Sequence, residues 1–253
     1  MLRPRIIPCL LVQDKGLVKT INFTAPKYVG DPINAVKIFN EKEVDELIVL
    51  DISATVQNAE PDYLMIRNLA RECRMPFCYG GGVKNVEQAN RIINLGVEKV
   101  ALSSAAHENP DLVSEIAEQV GSQSVVVVLD VRKKKNGTYE IWTHNGKKAT
   151  GRCPVEFSEK LENYGVGEIV INSIDDDGKM KGYDLDLAGK IRDVVTVPLT
   201  ILGGAGSLED IKYLVNRFGI IGASAGSLFV FKGVYRAVLI SYPSPQEKDI
   251  LIS

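Results

Sequence analysis

Short apolar runs recur along the whole of this chain. They are Ile6–Val12, Leu47–Ile52, Pro76–Tyr79, Val100–Leu102, Ser124–Leu129, Ile169–Ile171, Leu199–Leu202 and Ile220–Ala225. They are rich in valine and isoleucine and show no polar alternation, which predicts strands buried on both faces. Amphipathic stretches lie between them and predict helices: Pro32–Asn40, Pro61–Arg74, Val86–Leu95, Pro110–Gln119, Pro154–Tyr164, Leu185–Val194, Leu208–Phe218 and Phe231–Ile240. Pro32, Pro61, Pro110 and Pro154 stand where a helix begins, and proline is tolerated in that first turn. Gly96, Gly121 and Gly165 stand where helices end. Strands alternating with helices in this way over 253 residues predict an α/β fold, a single (β/α)8 TIM barrel. A doubly wound sheet is the rival. It normally carries a glycine-rich fingerprint after its first strand, where this chain has Leu11-Val12-Gln13-Asp14.

The two halves of the chain resemble each other. Gly81-Gly82-Val83-Lys84-Asn85-Val86-Glu87 aligns with Gly203-Gly204-Ala205-Gly206-Ser207-Leu208-Glu209. One strand later, Ala101-Leu102-Ser103-Ser104 aligns with Ser224-Ala225-Gly226-Ser227, and Cys9–Val12 aligns with Val128–Val131. A period near half the chain predicts half-barrels of approximately residues 1–122 and 123–253 rather than a solenoid. Small Gly-Ser loops that lead from a strand into a helix suit phosphate binding. Two symmetric pairs on one face suggest a substrate with a phosphate at each end.

Composition narrows the picture. Hydrophobic residues are 45% and charged residues 25%, which excludes a disordered, collagen-like or coiled-coil chain. Net charge is −2, and the one dense basic run, Arg132–Lys135, leads into Asn136-Gly137 and reads as a solvated turn. Neither nucleic-acid nor membrane-surface binding is expected. Four cysteines (Cys9, Cys73, Cys78, Cys153) form no CxxC pair and have only His107 and His144 for company. They read as free thiols, with no metal and no cofactor expected. The apolar stretch after Arg5 is too short for a signal peptide, and no run is long enough to span a membrane. A cytoplasmic protein is the expectation. His107, read as opening a helix-leading loop, and His144, in the hairpin-like turn Trp142-Thr143-His144-Asn145-Gly146, are given no role.

Strand ends carry the chemistry of barrels. They offer Asp51, Asp130 and Asp175-Asp176-Asp177-Gly178. Asp130 emerges at a strand top, where it can serve as a general acid or base or simply bond to loop N–H groups. Its repeat partner is Leu11, which moves no protons. At the opposite face Arg5, Glu46, Lys99 and Glu168 each precede an apolar strand. In a barrel they meet as a salt-bridged ring, which either stabilises that face or gates a passage.

The whole chain resembles the cyclase subunit of imidazole glycerol phosphate synthase. The stretches that carry the likeness include Arg5-Ile6-Ile7-Pro8-Cys9-Leu10, Gly30-Asp31-Pro32, Leu50-Asp51-Ile52, Gly80-Gly81-Gly82, Glu108-Asn109-Pro110, Gly121-Ser122-Gln123, Gly182-Tyr183-Asp184 and Gly203-Gly204-Ala205-Gly206. The resemblance implies a (β/α)8 barrel docked as a heterodimer on a glutaminase subunit. Ammonia from glutamine would cross the barrel core to a ribulosyl substrate with two phosphates. It implies an ammonia gate at Arg5, Glu46, Lys99 and Glu168, and a glutaminase-facing side at Glu98 and Gln123. It implies ligand or phosphate contacts at Lys19, Gly82, Ser103, Ser104, Asp177, Gly178, Gly204, Gly226 and Ser227.

The catalytic face departs from the family. The family's aspartate pair is here Asp130 and Leu11, and Asp14 is no obvious substitute. Asn-Thr is replaced by Ser103-Ser104, a glycine by Thr20, a threonine by Asn172 and a serine by Leu202. An intact ammonia route with an altered reaction site resembles the acetamidino-modification paralogue encoded with surface-polysaccharide enzymes. That likeness implies ammonia delivery to a separate sugar amidotransferase, which converts an N-acetyl group on a nucleotide-linked sugar. The alternatives are a working histidine-pathway cyclase and a non-catalytic scaffold that activates the glutaminase.

Overall fold

A computed structural model describes residues 3–252. Eight strands form the barrel: β1 (Arg5–Gln13), β2 (Leu47–Asp51), β3 (Phe77–Gly80), β4 (Lys99–Leu102), β5 (Val125–Lys133), β6 (Glu168–Ser173), β7 (Leu199–Leu202) and β8 (Gly222–Ala225). Each pairs in parallel with the next, and β8 returns to pair with β1, closing the sheet. The outer helices are α1 (Pro32–Glu41), α2 (Tyr63–Glu72), α3 (Val86–Asn94), α4 (Asp111–Val120), α5 (Pro154–Asn163), α6 (Leu185–Arg192), α7 (Leu208–Phe218) and α8 (Pro245–Ile252). The expected (β/α)8 barrel is thus the observed fold.

Period-2 geometry divides each strand between two cores. Inward side chains of the lumen form one cluster: Ile7, Cys9, Ile48, Cys78, Ala101, Val126, Val128, Val170 and Leu202. Outward ones, such as Ile6, Leu10, Val49, Val127 and Ile171, pack against the helices. Both layers are buried, which is why the strands lack polar alternation. Local chemistry starts the helices. Asp31, Asp62, Asn85 and Asp184 each accept a backbone N–H from the first turn, and Ser207 with Asp210 forms a capping box on α7.

The two aligned glycine turns share one backbone conformation. Gly81 and Gly82 after β3, and Gly203 and Gly204 after β7, all have positive φ. A Cβ at Gly81 would lie 2.5 Å from the Asp51 carbonyl oxygen, and one at Gly203 would lie 2.6 Å from that of Ser173. In both halves the turn hugs the end of the preceding strand, which only glycine permits.

Four expectations need correction. Phe231–Ile240 is not the eighth helix. Phe231–Lys232 and Ala237–Val238 pair as a small antiparallel hairpin, and α8 starts only at Pro245. Gly233 and Arg236 take positive φ and turn the chain, leaving Val234 and Tyr235 almost fully exposed. Pro32 and Pro154 occupy first helical positions, but Pro110 is the cap of α4 and Pro61 precedes the Asp62 cap. The basic run is not one solvated turn, because Arg132 and Lys133 belong to β5 and pair with Tyr139–Thr143. His107 does not open a loop; it lies buried in the short helix Ser104–Glu108, stacked on Phe157.

Candidate functional site

The barrel has two chemically distinct ends joined by its lumen. At the N-terminal ends of the strands, Arg5 bonds Glu46 and Glu168, and Lys99 bonds the same two carboxylates. The distances are 2.7 Å for Arg5–Glu168, 2.7 Å for Lys99–Glu46 and 2.8 Å for Lys99–Glu168. This is a closed ring of alternating charge. Thr200 Oγ1 also donates to Glu168 Oε1 at 2.6 Å. Burial alone would depress Arg5 and Lys99, but the two carboxylates outweigh it and push both up. Burial would likewise raise Glu168, yet Arg5 and Lys99 hold it well below the ordinary range. Arg5, Lys99 and Glu168 therefore stay charged across physiological pH.

Two further residues occupy the same face. Glu98 precedes β4, and its carboxylate accepts the Phe77 N–H at 2.7 Å. Gln123 lies exposed in the one-turn helix Ser122–Ser124 just before β5. Above the ring the lumen is apolar, as its cluster shows.

At the C-terminal ends the lumen opens into a cavity of about 1150 Å³, counted out to its mouth. Leu11, Lys19, Gly82, Ser103, Ser104, Asp130, Asp177, Gly178, Gly204, Gly226 and Ser227 all line it. Residues that the sequence spreads over seven loops thus meet at one site. The lining also includes Phe23, Leu50, Ile52, His144, Asn145 and Asn172. Sequence reasoning gave His144 no role; its loop turns back over the cavity through positive φ at His144 and Asn145. No local signal announces that, because the hairpin's direction is set by its pairing with β5.

Asp130 and Leu11 stand at the tops of β5 and β1 in this cavity. Asp130 accepts one bond from a side chain, Asn172 Nδ2 at 2.9 Å, from the adjacent strand top. Burial raises its carboxyl, Asn172 opposes and Asp177 adds to the rise, leaving it at about 7. A carboxyl poised there can give or take a proton at neutral pH. Leu11, packed with Leu50 on the lumen cluster, supplies only apolar surface. Asp51 differs: Ser53 N–H, Ser53 Oγ and Ala54 N–H all donate to its Oδ1, a structural turn.

Lys19 is almost completely buried, and its Nζ donates to the Cys9 carbonyl at 2.6 Å. Burial lowers its affinity for a proton, with Cys9 and Asp177 opposing. A Cβ at Gly226 would strike Lys19 Nζ, so this glycine makes room for the lysine. The hairpin of Gly16–Ile21 and Thr24–Gly30 is latched across the cavity. Thr20 Oγ1 donates to Asp177 Oδ2 at 2.7 Å, and Asn22 Nδ2 donates to the carbonyls of Ile174 and Asp175. Thr20 therefore ties the loop that carries Lys19 to the loop that carries Asp177 and Gly178.

All four cysteines are free. Among the described residues, no group of three or more His, Cys, Asp or Glu could hold a metal ion, and no helix is long and apolar enough to cross a membrane.

These features define a (β/α)8 barrel with a charge-ringed lumen that opens into a cavity lined by glycine and serine loops. The pattern of the histidine biosynthesis protein family matches residues 5–236. The chain is 58% identical to a Vibrio vulnificus protein provisionally named imidazole glycerol phosphate synthase subunit hisF3, over 98% of this chain and 96% of that one. It is 56% identical to a provisionally named HisF subunit of Leptospira interrogans, over 99% of each chain. It is 39% identical to the imidazole glycerol phosphate synthase subunit HisF of Streptococcus sanguinis, over 90% of this chain and 91% of that one. The chain belongs to this family, as a HisF-like subunit.

Proposed function

We propose that this barrel pairs with a glutaminase subunit and passes ammonia through its lumen for use beyond its own cavity. The class of use is acetamidino formation on a nucleotide-linked sugar, carried out by a separate amidotransferase. One observation carries the reading: the charge ring at the lumen entrance is complete, while at the exit the top of the first strand offers Leu11 as the counterpart of Asp130. A cyclisation that moves protons at two points needs two positioned groups, each contributing about 10²–10⁴ in rate. The apolar lumen suits a small neutral molecule, because an ion would be stripped of water without compensation there. Glu98 and Gln123 flank the ring and would face the glutaminase.

A histidine-pathway cyclase remains the second reading. Asp130 at about 7 and the Gly-Ser loops that line the cavity favour it.

The test uses the purified barrel with exogenous ammonium and the ribulosyl bisphosphate substrate of the family. The expected outcome is turnover at least about 10²-fold below that of a working cyclase; ordinary turnover would sink the proposal. In the complex with glutaminase and amidotransferase, Lys99→Ala should uncouple glutamine hydrolysis from sugar amidation. A scaffold that only activates the glutaminase would show no amidation to uncouple.

A further inference from the structure

A water-facing surface rarely keeps consecutive apolar side chains unless a partner covers them. The hairpin after β8 keeps such a run. Val234 is 92% exposed and Tyr235 95%, and Ala237, Val238 and Leu239 are exposed as well. The backbone beneath them is fully paired. Phe231 and Lys232 pair with Val238 and Ala237, and the Leu239 N–H donates to the Val230 carbonyl at 2.9 Å. The apolar tip is thus held out from the barrel by a built hairpin.

This hairpin stands on the rim of the cavity at the lumen exit. It follows Gly226 and Ser227, which line the cavity, and Arg236 Nη2 donates to the carbonyl of Gly178, which lines it too. Lys27 Nζ lies 5.7 Å over the Phe231 ring, so the hairpin of Gly16–Ile21 and Thr24–Gly30 stands beside it. There Tyr28 is 66% exposed. The charge on the two hairpins has one sign. Lys27, Lys232 and Arg236 flank the apolar side chains, and neither residues 16–30 nor residues 226–244 include an aspartate or glutamate.

Two copies of this surface repel, because each brings the same cations. An apolar face rimmed by carboxylates complements it. Position in the molecule says which protein carries that face. A glutaminase docked at the charge ring occupies the opposite end of the barrel and leaves this rim free. Ammonia that escapes into open water at neutral pH takes up a proton and loses the lone pair it needs for attack, so an enzyme that uses it must cover the mouth. We infer that the hairpin after β8, with the Tyr28 hairpin beside it, is the docking surface for the ammonia-consuming sugar amidotransferase, which meets it with an apolar face rimmed by aspartate and glutamate. The inference rests on the proposed delivery of ammonia and adds where the receiving enzyme sits. Tyr235 is the anchor, a large amphipathic ring that orders at low entropic cost. Lys27 and Lys232 steer the approach and set its register.

The test uses the glutaminase–barrel complex and the purified sugar amidotransferase, with binding followed by sedimentation velocity and amidation assayed separately. Tyr235→Asp and Val234→Asp should each weaken binding at least about ten-fold. Both side chains stand clear of the core, and retained glutaminase binding reports that the variants are folded. Lys232→Glu should weaken binding too, and the parent complex should loosen as salt rises. Tyr213→Asp, an exposed position on the outer helix α7, should bind as the parent does. With glutamine as the nitrogen source, Tyr235→Asp should lose amidation; with ammonium chloride, which bypasses the barrel, amidation should match the parent. Undiminished binding by Tyr235→Asp overturns the docking surface. So does an amidotransferase that ignores the hairpin while Tyr235 governs self-association of the barrel or its binding to phosphatidylglycerol vesicles. Hairpin-dependent binding without glutamine-driven amidation supports the surface and sinks the delivery reading instead, so the two failures are distinguishable.

Discussion

His107 shows how far one side chain's surroundings can move its chemistry. It is buried, stacked 4.3 Å from the Phe157 ring centroid, and neither ring nitrogen has a partner. Burial, with Arg152 nearby, lowers its pKa from 6.5 to about 4. The imidazole is neutral in the folded and unfolded chain above pH 6.5, so its full contribution to stability is present there. As pH falls from 6.5 to about 4, the unfolded chain takes up a proton that the folded chain refuses, and about 3 kcal/mol is lost. In His107→Phe, which keeps the stack, stability should fall less steeply over that window; urea unfolding at stepped pH measures the difference. If the parent and the variant lose stability in parallel, the buried imidazole is not the cause. The same residue marks a limit of sequence reading. A histidine in Ala105-Ala106-His107 carries no sign of burial, and Phe157 comes from a distant helix.

Leu11 and Asp130 mark the opposite case at this scale. The half-chain repeat aligned them, and the structure places both on the cavity wall. Their chemical contrast, one titratable and one inert, was legible because residue type alone supplies it. The near-neutral poise of Asp130 was not, since burial and Asp177 raise it against the opposing bond from Asn172 across the strand pair.

At the scale of elements, local rules worked where local forces decide. Leu208–Phe218 folds with the expected ends because a capping box starts it and Gly219, at positive φ, stops it. The region after β8 failed for a physical reason. Phe231–Ile240 has helical spacing of apolar residues, but Gly233 bends it, and Val238 and Leu239 remain about half exposed because no neighbour covers them. Periodicity reports what a segment could bury, while packing decides whether anything is there to bury it against. The turns after β3 and β7 permit a quantitative comparison. Gly203→Ala forces a Cβ to within 2.6 Å of the Ser173 carbonyl oxygen at φ +92. It should destabilise by about 2–4 kcal/mol, combining backbone strain with the clash. Gly219→Ala also has positive φ, but a Cβ there meets nothing within 4 Å. Strain alone should cost it about 1–2 kcal/mol. Chemical denaturation of both variants checks the order; equal losses would mean that the close approach carries no weight.

At the scale of the whole molecule, closure of the barrel creates the charge ring. Arg5, Lys99 and Glu168 come from three strands and Glu46 from the residue before a fourth, and they touch only because β8 returns to β1 and β5 pairs with β6. Glu168 is 3% exposed and serves both cations. Glu168→Ala should therefore cost about 3–5 kcal/mol, because Arg5 and Lys99 each lose a partner and repel across the opening. Replacing all four by apolar residues should cost less than that single change, as buried pairs are worth little against well-packed isosteres. Thermal unfolding of the two variants tests this, and a quadruple variant far weaker than the single one would contradict it.

Strand and helix alternation, the half-chain repeat, the glycine turns and the identity of the charges at each end were legible in the residues alone. These follow from periodicity, backbone sterics and residue chemistry, which are local. Which residues meet was set by folding. Closure joined four charges into a ring, stacked inward side chains into an apolar lumen, latched Thr20 to Asp177 and set Asn172 beside Asp130. Such contacts depend on burial and on register between distant strands, quantities that no stretch of the chain holds alone.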